Sequence, residues 1–170
     1  MKNESQRQKK MYWVMSFLLS GLAIAQFIQP HFENPGVTGD IEAPAEVKAI
    51  LKRSCFDCHS NETKLRWYDR ISPVSWAVAK DIQGGRSVFN FSSWNSLTTA
   101  QQKDRFWEIV NHAISGAMPL KEYTLMHSSA KLSEGDRDIL KNYVSGMAYE
   151  ETFDTSKAIA LAEQFNQWQK

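Results

Sequence analysis

The sequence predicts an all-α protein, a small helical domain carried behind a single N-terminal transmembrane helix. Three observations predict it. Apolar residues recur at three- and four-residue spacing in several separate segments. Those segments open and close on capping residues. No stretch alternates apolar and polar residues for long enough to make a strand. The 170 residues allow one domain with appendages, and 42% hydrophobic, 12% aromatic and 23% charged residues are ordinary globular proportions.

Residues 1–10 form a basic tail: Lys2, Arg7, Lys9 and Lys10 against Glu4 give +3, so the net charge of +1 leaves the remainder near −2. No basic run interleaved with aromatics follows, which argues against a nucleic-acid partner. Residues 11–28, MYWVMSFLLSGLAIAQFI, carry no charge. At a rise of ~1.5 Å per residue they span ~27 Å, enough for a thin hydrocarbon core. Tyr12 and Trp13 stand at the charged end, where aromatic rings favour the membrane interface. The basic tail predicts a cytoplasmic start and an exported remainder, on the outer face of the inner membrane or in the periplasm. Ala23-Ile24-Ala25 also fits a signal-cleavage pattern, so a removable signal stands beside the anchor. Pro30, Pro35, Gly36 and Gly39 make residues 29–43 a linker.

The domain over 44–150 reads as four helices. Pro44 opens the first, with Val47, Ile50, Leu51 and Ser54/Cys55 on one face. Ser72-Pro73 opens the second, with Val74, Ala77, Val78 and Ile82 as its stripe, and Gly84-Gly85 ends it. The third runs from about Thr99 to Ser115, with Phe106, Ile109, Val110 and Ala113 as its apolar face. Ser133 with Asp136 starts the fourth, striped by Ile139, Leu140, Tyr143, Val144 and Met147. A terminal segment, 151–170, places Ala158, Leu161, Phe165 and Trp168 together in a further helix. Residues 56–71, 84–98 and 116–132 read as long irregular stretches. So much loop in so small a domain predicts a bulky group for the loops to wrap.

The two cysteines are Cys55 and Cys58, in the run Cys55-Phe56-Asp57-Cys58-His59. This is the c-type haem attachment pattern. Its spacing has a physical reason: two thiols reach the two vinyl groups on one porphyrin edge, and the adjacent imidazole turns under the ring to the iron. One covalently bound haem c is therefore expected, with His59 as an axial ligand. Rival readings of the same residues are weaker. A thioredoxin-like pair sits in a βαβ setting, which is missing, and a structural zinc needs two further ligands at paired spacing.

Candidates for the second axial ligand are Met118, Met126, Met147, His112 and His127. Met147 lies in an apolar stripe, where methionine is usually core filler, and His112 flanks a helix as a surface residue would. Met118 stands apart, in Gly116-Ala117-Met118-Pro119 directly after the third helix, and His127 is the fallback that would give bis-histidine ligation. Arg66, Trp67, Tyr68 and Trp76 are candidate haem contacts, set against the plainer reading of core tryptophans and a surface arginine.

The Met-Pro loop followed by the capped helix from Ser133 resembles the distal half of a class I cytochrome c. In that family a loop methionine before proline is the sixth iron ligand, and the last core helix crosses the first. More closely, Cys55 to Asn61, Trp67-Tyr68 through Ser72-Pro73-Val74-Ser75-Trp76, Met118-Pro119-Leu120 with Tyr123-Thr124, and His127 resemble small bacterial membrane-anchored haem-binding domain proteins, over nearly the whole chain. One departure is that Pro73 comes late for the proline whose carbonyl supports the proximal histidine in cytochromes c. Ligation by both His59 and Met118 leaves iron no open position, which implies electron transfer and no catalysis. The partners are then redox proteins and the membrane, with no small-molecule substrate. The alternative is a haem-based sensor or small peroxidase-like enzyme whose distal ligand is displaceable.

Overall fold

The computed structural model describes residues 2–152, with side chains over 5–147. The expected helix over Thr155 to Gln169 lies outside the described residues. All regular structure among the described residues is helical: α1 (Lys2–Ala25), α2 (Ala45–Ser54), α3 (Phe56–His59), α4 (Val74–Val88), α5 (Thr99–Ser115), α6 (Lys121–Met126) and α7 (Glu134–Thr152). Short 3-10 turns cover Tyr68–Arg70, Phe91–Ser96 and Ser128–Ala130. The chain divides into two compact units. One takes Met1–Gly36 with Asp57–Asn90, the other Val37–Phe56 with Phe91–Lys170.

In the second unit α7 packs on α5 and on α2. The reason is the apolar stripe of each. α2 buries Val47, Ile50 and Leu51, α5 buries Phe106, Ile109, Val110 and Ala113, and Leu140 and Val144 of α7 are buried with them. Thr98 caps α5 in a reciprocal box with Gln101, and Gly116 ends it in the left-handed conformation (φ 73°). An aromatic series binds the core together. Phe56 stacks on Phe91 at 4.7 Å, Phe91 meets Trp94 at 5.5 Å, and Trp94 meets Phe106 edge-on at 5.5 Å. Phe106 then meets Tyr143 at 5.2 Å. Such pairs add about 0.5–1.5 kcal/mol each beyond the area they bury.

Ser133 caps α7, donating its Oγ to Asp136 at 2.7 Å and accepting the Asp136 N–H at 3.1 Å. Arg53 of α2 pairs with the same carboxylate at 2.5 Å. Burial alone would raise the Asp136 pKa, but the hydrogen bonds from Arg53 and Ser133 outweigh it and bring it from 3.8 down to about 2. A depressed carboxyl pKa stabilises the fold above the unfolded value and loses that contribution as the pH falls from about 4 to about 2. Asp136→Asn is therefore expected to cost about 1 kcal/mol at neutral pH. In urea titrations the difference from wild type should shrink towards zero near the lower end of that window. A cost independent of pH would remove the charge from this account.

In the first unit α4 turns Ser75, Ala79 and Ile82 inward, while Val74 and Trp76 face out. The expected stripe of Val74, Ala77, Val78 and Ile82 is thus rotated. Ser75 is accommodated because its hydroxyl pairs with that of Ser72 at 3.2 Å. The expected stop at Gly84-Gly85 is also corrected, since α4 runs on to Val88. The three stretches read as irregular contain α3, α6 and the 3-10 turns. The linker has no regular structure but is pinned within its own unit at each end, by Asn34 Nδ2 to the Thr63 carbonyl (3.0 Å) and by Thr38 N–H to that of Ser92 (2.8 Å).

The expected transmembrane helix over 11–28 is not found as such. α1 begins among the charged residues at Lys2 and ends at Ala25. Among the described residues no helix is long and apolar enough to cross a membrane. The physical reason lies at its C-terminal end. Phe27 and Ile28 close tight turns onto Ile24 and Ala25, while the Gln26 amide leaves the helix axis to exchange two hydrogen bonds with the Ser72 backbone (3.1 and 3.2 Å).

Candidate functional site

Cys55 follows the last residue of α2 and its N–H donates to the Leu51 carbonyl at 2.8 Å. The four residues of α3 then carry Cys58 and His59. Both cysteines are partly exposed and neither is in a disulfide. The helix end thus presents two thiols and an imidazole within one turn.

The turn after His59 is fixed by its own polar groups. Thr63 Oγ1 donates to the Asp57 carbonyl at 2.6 Å, and the Ser60 hydroxyl accepts the Glu62 N–H at 2.9 Å. Arg86, in the last turn of α4, is the hub. Its Nε donates to the Ser60 carbonyl (2.8 Å), Nη1 to that of Glu33 (2.8 Å), and Nη2 to Asn34 Oδ1 (2.7 Å) and Thr63 Oγ1 (3.0 Å). Its guanidinium also lies 5.2 Å from the centre of the Phe32 ring. Gly85 lets α4 approach the motif, because a Cβ there would stand 2.6 Å from the Cys58 carbonyl oxygen. Sequence reasoning missed Gly85, Arg86 and Phe89. The Gly-Gly-Arg run was the available signal, read as a helix stop.

The His59 ring stacks on Phe89 with centroids 4.1 Å apart and planes 10° from parallel. Its Nδ1 is buried without a hydrogen-bond partner. Burial lowers the pKa of the imidazole, although backbone groups of Phe89 and Gly85 oppose this, and so favours the neutral ring. Burial pushes the Cys58 thiol up to about 12, with help from the carboxylates of Asp81 and Asp57 and against Arg86. A redox-active C-x-x-C pair needs the opposite, a lowered thiol pKa. Among the described residues no group of three or more His, Cys, Asp and Glu is placed to hold a bare metal ion. The residues fit a c-type haem: two partly exposed thiols, and an imidazole with a buried nitrogen that no group among the described residues satisfies.

Residues 20–146 match the haem-binding domain family. The chain belongs to that family. No curated protein and no solved structure matches it. Haem is therefore the cofactor of this haem-binding domain.

The remaining expected site residues are scattered in character. Arg66 is exposed, and so is Trp67, at 75%. Trp76 is 43% exposed and spends its indole N–H on the Ile28 carbonyl at 2.7 Å, which leaves it no donor for a haem propionate. In the second unit, Met118 is 38% exposed, in the loop after Gly116, and its N–H donates to the His112 carbonyl at 3.1 Å. His127 ends α6, stacked on Tyr123 at 4.3 Å. Its Nδ1 lies 3.1 Å from the Tyr123 carbonyl. Met126 and His112 are exposed.

Proposed function

We propose that this haem-binding domain is a membrane-anchored monohaem c-type cytochrome that transfers electrons on the exported side of the membrane. Cys55 and Cys58 form the two thioether bonds, His59 is the proximal ligand, and Met118 is the distal one. The observation that carries the reading is the pairing of Cys55-Phe56-Asp57-Cys58-His59 on one helix end with a His59 Nδ1 that is buried without a partner among the described residues, within a family of haem-binding domains. The bound group supplies a reversible one-electron couple. The protein's part is to keep His59 neutral, to orient its ring against Phe89, and to hold the following turn through Arg86. The apolar residues 11–28 serve as the anchor, and redox proteins are the partners.

The oxidised protein is expected to be low spin with the weak red-end band of methionine–iron coordination, and its ferrous form is expected not to bind carbon monoxide. An open high-spin spectrum with ready carbon monoxide binding would support the sensor or peroxidase-like reading instead.

A further inference from the structure

We propose that Phe27, Ile28, Ile71, Val74 and Trp76, flanked by Trp67, form a lipid-contacting patch that seats the unit bearing Cys58 and His59 in the headgroup layer. The inference rests on the membrane-anchoring reading of residues 11–28 and goes beyond it. All six side chains are exposed, from 43% at Ile71 and Trp76 to 90% at Phe27.

They are gathered by specific bonds. The Ser72 hydroxyl donates to the Ala25 carbonyl (3.0 Å) and accepts from Gln29 Nε2 (2.9 Å), while Gln26 holds the Ser72 backbone. Trp76 Nε1 donates to the Ile28 carbonyl. The loop carrying Ile71 and Val74 is therefore fastened to the end of α1. An exposed apolar cluster of this kind marks an interaction surface.

Two features select lipid as its occupant. The cluster continues directly from the apolar part of α1, where Tyr12, Trp13, Val14, Met15, Leu19 and Ile24 are exposed around the helix, so that no single side is set aside for a protein partner. That part of α1 is about 15 residues, or ~22 Å, and falls short of a hydrocarbon core. Apolar side chains fastened at its end make up such a mismatch. Exposed Lys64, Arg66, Arg70 and Lys80 also outnumber exposed Glu62 and Asp81 in this segment, although the chain beyond residue 10 is net negative. Tryptophan and arginine are the residues that favour an anionic interface.

The test places a nitroxide label in the full haem-loaded chain, reconstituted in vesicles of phosphatidylethanolamine and phosphatidylglycerol. Ile71→Cys and Val74→Cys report the patch, Leu18→Cys the anchor, and Ser87→Cys the exposed far end of α4. The unsubstituted chain, treated identically, sets the background from Cys55 and Cys58. Collision with oxygen relative to a water-soluble nickel chelate is expected to be several-fold higher at 18, 71 and 74 than at 87. A lipid-like value at 18 with water-like values at 71 and 74 would overturn the patch and leave the anchor standing. A water-like value at 18 would overturn both.

Discussion

Gly85→Ala is expected to destabilise the protein by about 1–3 kcal/mol, the usual cost of overpacking, and to reduce sharply the yield of haem-loaded chain. The added methyl would meet the Cys58 carbonyl oxygen at 2.6 Å, its carbon at 3.0 Å and the Cys58 Cβ at 3.2 Å. The nearest of these are backbone atoms, which cannot swing aside as the end of a side chain can. Either α4 shifts or the motif turn does, and both Cys58 and His59 ride on that turn. Gly84→Ala is the matched control. Nothing lies within 4 Å of its would-be Cβ. Alanine inside a helix is better than glycine by about 0.5–1 kcal/mol, so Gly84→Ala should be neutral or stabilising. Urea denaturation of the two variants, with haem content per folded chain, decides the matter. Equal effects at 84 and 85 would show that the close approach to Cys58 is not what requires glycine.

Met118→Ala is expected to open the iron to carbon monoxide while the haem stays attached. Losing a thioether ligand should also lower the reduction potential, by roughly 0.1–0.2 V out of the ~0.8 V that axial ligands span among haem proteins. The structural cost should be small, because Met118 is partly exposed and its bond to the His112 carbonyl is made by the backbone N–H, which alanine keeps. Met126→Ala and His127→Ala should leave the spectrum unchanged. If Met118→Ala keeps a wild-type low-spin spectrum and His127→Ala turns high spin, the distal ligand is His127.

α5 was legible because an unbroken 3.6-residue stripe runs from Phe106 to Ala113, and the structure adds the Thr98–Gln101 box and Gly116 that bound it. The start of α7 was legible through its cap, Ser133 with Asp136. α4 was found but turned the wrong way. A hydrophobic pattern does not credit a serine with an inward position, and Ser75 takes one only because Ser72 satisfies it. Gly85 carries an ordinary helical backbone, so its value lies in a missing Cβ opposite Cys58, a tertiary fact that local sequence does not encode. The end of α1 was misjudged likewise: hydropathy runs on to Ile28, but Gln26 is drawn off by Ser72, far along the chain. At the site, the nearness of Cys55, Cys58 and His59 on consecutive short elements was legible from their spacing. Arg86 was hidden, since four of its partners lie on the segments 33–34 and 60–63, well separated in sequence.

A haem bound through Cys55 and Cys58 is tested most directly by the mass of the chain after full denaturation. Protein made with a cytochrome maturation system should keep its haem through denaturation, seen as a chain heavier by one haem and a band that stains for haem on a denaturing gel. Cys55→Ala and Cys58→Ala should each greatly reduce that species. A wild-type chain that sheds its haem on denaturation, and weighs only what its sequence dictates, would contradict covalent attachment.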